Sequence, residues 1–342
     1  MAVIPSRPWV LVTGTNGYLA SHIIDQLLLA GYNARCTVRA LSKGQWLNEF
    51  VVKRYGLGRF ELAEVSDMAV PGAFTKSVKG MTAIVHAASD MTIGPDPNEV
   101  VNRNLRGNKG LLEAALSEPL VKRFVLTSSA AACSWPYADA PADVDDNTWH
   151  ADAVERAWAP PPYDGFRAWD VYAASKTQQE QDTWQFAKER KSHFTVNSVI
   201  PNTLFGPLLA PEKQTNTSTN GFVTGIYKTG WNMMGYIPPQ YHCEVRDIAR
   251  LHVAAIQDPD VKGERVFGYG DHYSYNNIFD ILRKISPEHE FPNNKPTQPA
   301  EQSRIVRNAR TEELLRKHYG QEGFIPLEEA IRDTVAHVVA AH

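Results

Sequence analysis

Tyr172 and Lys176 stand four residues apart in Tyr172-Ala173-Ala174-Ser175-Lys176. On a helix that spacing puts a phenol and an amine on one face, about one turn apart. An ammonium beside a phenol favours the phenolate and lowers the proton affinity of a group whose reference pKa is about 10. Such a pair can exchange a proton with a reacting oxygen near neutral pH. The same spacing occurs by chance in helices whose Tyr and Lys are only solvated, so the rest of the chain must decide. Upstream, Thr127-Ser128-Ser129 offers hydroxyls at the end of an apolar run, where a serine can hydrogen-bond a substrate carbonyl.

A second group of residues speaks for a bound anion. Gly14-Thr15-Asn16-Gly17-Tyr18-Leu19-Ala20 follows the apolar run Val10-Leu11-Val12 and opens a stretch with Ile23, Ile24, Leu27 and Leu28 at helical spacing before Gly31. Glycines at a strand-to-helix turn allow backbone to approach a pyrophosphate, which sits on the helix N-terminus. Gly14, Asn16, Gly17, Tyr18 and Leu19 are therefore dinucleotide-site candidates. Dinucleotide sites that take NAD place an acid after the second strand to hold ribose hydroxyls. Here Val38 is followed by Arg39, with Lys43 close behind and no acid nearby. Cations there suit a 2′-phosphate, which points to NADPH over NADH. Asp67 and Met68, after the third strand, are placed to touch an adenine. Ala87 and Ala88, after the fourth, are small where a cofactor would cross the sheet.

The elements that must position these groups alternate. Strands are expected at Val10–Val12, Arg35–Val38, Phe60–Ala63, Ala83–His86, Phe124–Thr127 and Thr195–Ile200. Helical stretches are expected at Leu105–Ala115 and from Tyr172 to about residue 190. Alternation of this kind predicts an α/β fold, a Rossmann-type doubly wound parallel sheet. After Pro201 the chain breaks into short Gly- and Pro-rich pieces. Regular structure resumes at Val245–Ile256, Asn276–Ile285 and Leu327–Val339, and Asn293–Pro299 reads as a linker. The expected organisation is residues 1–200 as an NADP-binding domain carrying the catalytic residues. Residues 201–342 would form mostly a smaller C-terminal substrate-binding lobe, with some segments returning to the first domain.

Composition narrows the partners. The chain has 342 residues, with 35 Lys plus Arg against 38 Asp plus Glu, a formal charge of −3. Nothing in that balance advertises a nucleic-acid or membrane surface, and a small-molecule ligand or a protein is expected. Cys36, Cys133 and Cys243 are widely spaced, with no metal-ligand pattern, which suits free thiols in a reducing compartment. No stretch has the length of a signal peptide or of a membrane span, so a cytoplasmic protein is expected.

Together VTGTNGYLA, the Val38-Arg39 strand end, FVLTSS, VYAASKT and Ile200-Pro201-Asn202 resemble the extended short-chain dehydrogenase/reductase family. Within it they are similar to the dihydroflavonol-reductase-like branch that includes fungal NADPH-dependent aldehyde and carbonyl reductases. The resemblance runs from about Trp9 to the C-terminus. It implies hydride transfer to a carbonyl carbon, with Ser129 orienting the carbonyl and Tyr172 donating the proton. It also implies that Lys176 binds ribose hydroxyls and lowers the tyrosine pKa, that Asn104 supports a proton-relay water, and that Thr127, Pro201 and Asn202 border the cofactor. Only one of Ser128 and Ser129 can face substrate, because successive strand residues point opposite ways, and the family register selects Ser129.

A Trp-rich insert between Ser129 and Tyr172 and the segment after Leu204 depart from the plant flavonoid reductases of this branch. Ser134 aligns roughly with a specificity position of those enzymes. Phe205, Trp231 and Met234 suit an apolar pocket for aryl or alkyl carbonyls, and suit equally well packing between lobes. His242, Arg246 and Asp247 match a structural turn of the family. The expected activity is NADPH-dependent reduction of aldehydes or ketones, aryl ketones and keto esters included, by a monomer or homodimer. The alternatives are an NAD-dependent nucleotide-sugar epimerase or dehydratase, and a non-catalytic NADP-sensing regulator.

Overall fold

The computed structural model describes residues 7–89, 93–135, 142–214, 218–230, 238–296 and 301–341. Its centre is a seven-stranded sheet in which every pairing is parallel. The strands are β1 (Trp9–Thr13), β2 (Asn33–Val38), β3 (Phe60–Glu64), β4 (Ala83–His86), β5 (Arg123–Thr127), β7 (Thr195–Pro201) and β10 (Arg265–Gly268). They lie in the order β10-β7-β5-β4-β1-β2-β3. Val10, Leu11, Val12, Ile84 and Val85 have no exposed surface. Short uninterrupted apolar runs are what strands covered on both faces require. The strand order reverses between β1 and β4, and in such sheets the crevice at the carboxyl ends of those strands takes the ligand.

Helices cover both faces. Helix α1 (Tyr18–Leu29) buries Ile23, Ile24, Leu27 and Leu28 against β1 and β2. Helix α2 (Gln45–Tyr55) follows β2 and seats Leu47 and Val51 in the same core. Helix α3 (Pro97–Leu116) begins eight residues before the expected start, because Asp96 caps Asn98 N at 2.9 Å and Pro97 suits the first turn. Helix α4 (Ala151–Trp158) packs on α5 (Ala168–Glu189), the helix that carries Tyr172 and Lys176. Asn108 Nδ2 donates to Thr183 Oγ1 at 2.9 Å, fixing the register of α3 against α5.

The chain after Pro201 divides. Strands β8 (Thr203–Phe205), β9 (Gln240–Glu244) and β11 (His272–Tyr273) form a small sheet. Helices α6 (Asn220–Thr229), α8 (Tyr275–Ile285) and α10 (Leu327–Val339) share its apolar cluster. Helices α7 (Val245–Gln257) and α9 (Asn308–Tyr319) instead join the core of α1 and the large sheet. The pair β6 (Asp143–Val144) with β12 (Arg304–Ile305) ties the insert after β5 to the C-terminal third. The described part of the expected linker is anchored to α8, Lys295 N donating to Asn276 Oδ1 at 2.9 Å. No helix among the described residues is long and apolar enough to cross a membrane.

Candidate active site

A cavity of about 1230 Å³ follows the carboxyl ends of the parallel strands. The strand order sets its direction, from Arg39 past Gly14 and Ala88 to Ser129, Pro201 and Tyr269.

At the first end, Gly14 has φ +75°, and a Cβ built there would lie 2.9 Å from Ala88 Cα, so only glycine fits the approach of β1 to β4. Ala88 N donates to Thr13 Oγ1 at 2.9 Å, and that hydroxyl in turn bonds His86 Nδ1 at 2.9 Å. Thr15 Oγ1 donates to Thr37 O at 2.9 Å, holding the turn against β2. Helix α1 starts from Gly17 with no side-chain cap and no acid in its first turn. Its first N–H groups and the positive end of its dipole are thus open at the cavity, where Gly14, Asn16, Gly17, Tyr18 and Leu19 all form lining. A pyrophosphate fits this cradle. The exposed cations Arg39 and Lys43 line the same end, and neither has an ion-pair partner among the described residues. Asp67 also lines it, accepting from Ala69 N at 2.9 Å and from Arg103 Nη2 at 3.0 Å. Met68 packs on Gly107, where an added Cβ would come within 2.9 Å of its Cγ. Arg103, and Trp46 and Glu49 on α2, also line the cavity here, and no motif marks them.

At the other end, Ser129 leaves β5 in extended conformation, its Oγ capping Ala131 N at 3.2 Å. The Tyr172 hydroxyl donates to Ser129 Oγ at 3.4 Å. Ser128 turns the opposite way, donating to Glu180 Oε2 at 2.7 Å in the interior. Lys176 Nζ donates to the Thr127 carbonyl at 3.4 Å. Burial pushes the Tyr172 hydroxyl above the usual tyrosine value, opposed by its Ser129 hydrogen bond. Burial lowers the Lys176 ammonium itself to about 8, with Glu180 pulling upward, and its charge is directed at the Thr127 carbonyl. Asn104 is buried on α3 and donates to Ser175 Oγ at 2.8 Å. It steadies the tyrosine helix and is not part of the cavity lining.

A family model described as the NAD dependent epimerase/dehydratase family matches residues 10–270. The chain belongs to that family. It is 35% identical over 331 residues to NAD-dependent epimerase/dehydratase terH of Aspergillus terreus, covering 96% of each chain. It is 36% identical over 341 residues to aldehyde reductase 2 of Sporidiobolus salmonicolor, covering 99% of this chain and 98% of the relative. Among solved structures it resembles Gre2 of Candida albicans in complex with NADPH, with TM-score 0.83, 25% identity, and coverage of 98% of this chain and 99% of that one.

Within this epimerase/dehydratase-family frame the substrate end departs most from expectation. Ser134 lines the cavity, but Phe205 does not. Phe205 has no exposed surface, because strand β8 turns it into the C-terminal cluster, stacked on His242 at 6.2 Å and edge-on to Tyr273 at 5.1 Å. Trp231 and Met234 lie outside the described residues. The aromatic wall comes instead from Trp169, edge-on to Tyr172 at 6.3 Å, and from Trp135, 6.0 Å from Trp169. Trp169 was accessible to reasoning, since it sits one helical turn before Tyr172. Phe222, an aromatic of the Gly- and Pro-rich segment after Leu204, also lines the wall, as do Gln240, Tyr269 and Glu301, which no local pattern marks. His242 and Asp247 are buried, and Arg246 pairs with Glu244 at 2.7 Å, so these residues hold the lobe together.

Proposed function

We propose that this protein reduces aldehydes or ketones to alcohols, with Tyr172 as the proton donor. It is an NADP-dependent oxidoreductase of the short-chain dehydrogenase/reductase type. The observation that carries the proton assignment is the 3.4 Å approach of the Tyr172 and Ser129 hydroxyls, which converge on one point of a cavity whose other end is an uncapped helix N-terminus.

NADPH, when bound, supplies a hydride to the carbonyl carbon. The backbone of Gly14, Asn16, Gly17, Tyr18 and Leu19 would hold the pyrophosphate, Arg39 and Lys43 the 2′-phosphate, and Asp67 with Met68 the adenine. Ala87 and Ala88 leave room across the sheet. Lys176 and Thr127 would face the ribose, and Pro201 and Asn202 the nicotinamide. Asn202 is fixed for this, its N–H donating to Gly268 O at 3.1 Å. Ser129 would donate to the carbonyl oxygen and hold it within reach of Tyr172. Tyr172 then delivers its proton to the developing alkoxide, and a half-buried phenol kept protonated is suited to that task. Trp135, Trp169 and Phe222 present apolar and aromatic surface, which favours aryl ketones, keto esters and larger aldehydes.

The test is NADPH oxidation followed with a panel of aryl ketones, keto esters and aldehydes. Turnover on several members is expected. A correctly folded protein that binds NADPH and turns over none of them would overturn the proposal.

A further inference from the structure

Glu301 lines the cavity yet is only 4% exposed. Its Oε2 is buried and has no hydrogen-bond partner among the described residues. The Tyr241 hydroxyl donates to Ser303 O at 2.8 Å, holding the chain that carries the carboxyl group. Two residues beyond Ser303, Ile305 packs with Cys133, Val144, Ile200, Phe267 and Tyr269, so the carboxyl is mounted on anchored chain. Tyr269 follows Gly268, which pairs with Pro201. This wall therefore adjoins the end of the cavity where Pro201, Asn202 and Ser129 lie.

A buried oxygen with an unused lone pair is costly unless a donor reaches it. We propose that Glu301 is a hydrogen-bonding subsite that selects carbonyl substrates carrying a hydroxyl remote from the reacting carbonyl. The proposal rests on the carbonyl-reductase reading. Burial raises the Glu301 carboxyl to about 7, so acid and carboxylate coexist near neutrality. A hydroxyl both donates and accepts and can pair with either form, whereas an ammonium can only donate.

The experiment compares acetophenone, its 3′- and 4′-hydroxymethyl derivatives, the matching methoxymethyl ethers and the matching aminomethyl compounds at pH 7. The wild-type protein should prefer one hydroxymethyl ketone over its ether by roughly tenfold or more in kcat/KM, mostly through KM, as one hydrogen bond to an ionisable group implies. In Glu301→Leu that ratio should fall to within about twofold, while Glu301→Gln, which keeps an acceptor and a donor, should retain most of it. If the Leu variant does not accumulate as folded protein, Glu301→Thr, neutral and shorter, carries the same comparison. Ratios within about twofold for both isomers in the wild type, or an unchanged ratio in the Leu or Thr variant, would overturn the subsite. A preference for the aminomethyl compound would replace it with a cation site. If neither these ketones nor any member of the wider carbonyl panel is reduced, the reductase reading has failed. Calorimetric binding of the same compounds to the NADPH-loaded protein then still reports on Glu301.

Discussion

Ser128 and Glu180 are joined by a 2.7 Å hydrogen bond that ties the end of β5 to α5, one helical turn beyond Lys176. The same carboxylate accepts from Ser198 Oγ at 2.6 Å and from Arg265 Nε at 2.9 Å and Nη2 at 3.1 Å. Arg265 also lies 3.9 Å over the Trp149 ring and donates to Thr148 O at 2.8 Å. One buried carboxylate thus links β5, β7, β10 and the tyrosine helix, and its field supports the Lys176 charge.

Removing that carboxylate leaves a buried guanidinium without its counter-charge, a loss of about 3–5 kcal/mol. Glu180→Leu is expected to unfold at clearly lower urea concentration than wild type. Glu180→Leu combined with Arg265→Leu should recover part of the loss, because no charge is then stranded. Equal stability of wild type and the single variant would refute the role of the network.

Tyr172→Phe deletes one hydroxyl and leaves the ring against Trp169. Carbonyl reduction should fall by about 10²–10⁴, the usual contribution of a positioned acid, while NADPH binding followed by fluorescence quenching stays near wild type. A variant retaining more than about a tenth of wild-type kcat would remove Tyr172 from the donor role.

Arg39 is exposed at the end of β2, with Lys43 just beyond it. Arg39→Ala should raise the KM for NADPH by about 10–100-fold, as loss of a charged hydrogen bond implies, and leave that for NADH nearly unchanged. Because the group is solvated, the NADPH effect should shrink with added salt. Equal changes for both cofactors would show that Arg39 does not read the 2′-phosphate.

The parallel sheet was legible because its strands are short apolar runs punctuated by glycine, and the turn at Gly14 because only glycine tolerates its conformation beside Ala88. The meeting of Tyr172, Lys176 and Ser129 in one cavity was legible from helical spacing and strand-end position, with the family resemblance choosing Ser129 over Ser128. Phe205 stayed undecided because an aromatic after a strand can face either a cavity or a core. The β8 register, set by pairing with β9 far along the chain, decides that. Glu301 and Tyr269 were invisible for the same reason, since long-range pairings of β12 and β10 bring them to the cavity. The surroundings of the Tyr172 hydroxyl were not legible, because spacing shows the neighbouring amine but not the burial that raises the phenol.

Three of the buried histidines make the fold especially sensitive to acid. His252 donates from Nδ1 to Ile248 O at 2.8 Å and accepts from Thr127 Oγ1 at Nε2 at 2.8 Å, so the neutral ring is fully satisfied. Burial lowers its pKa from 6.5 to about 4, lowers that of His22 to about 4 and lowers that of His86 to about 3. Each group binds its proton more readily in the unfolded chain, so its contribution is complete above pH 6.5 and is lost as pH falls toward the folded value. At pH 5 the loss is about 2 kcal/mol for a histidine shifted this far. Glu244 and Glu301 act in the opposite direction. Burial raises both to about 7, and protonation below that favours the folded state. The net slope is therefore a poor test, and the difference between wild type and His252→Gln is a clean one. Urea unfolding at pH 7 and pH 5 should show the variant losing about 2 kcal/mol less than wild type between the two. Identical losses in the two proteins would mean that His252 is not held neutral beside Thr127.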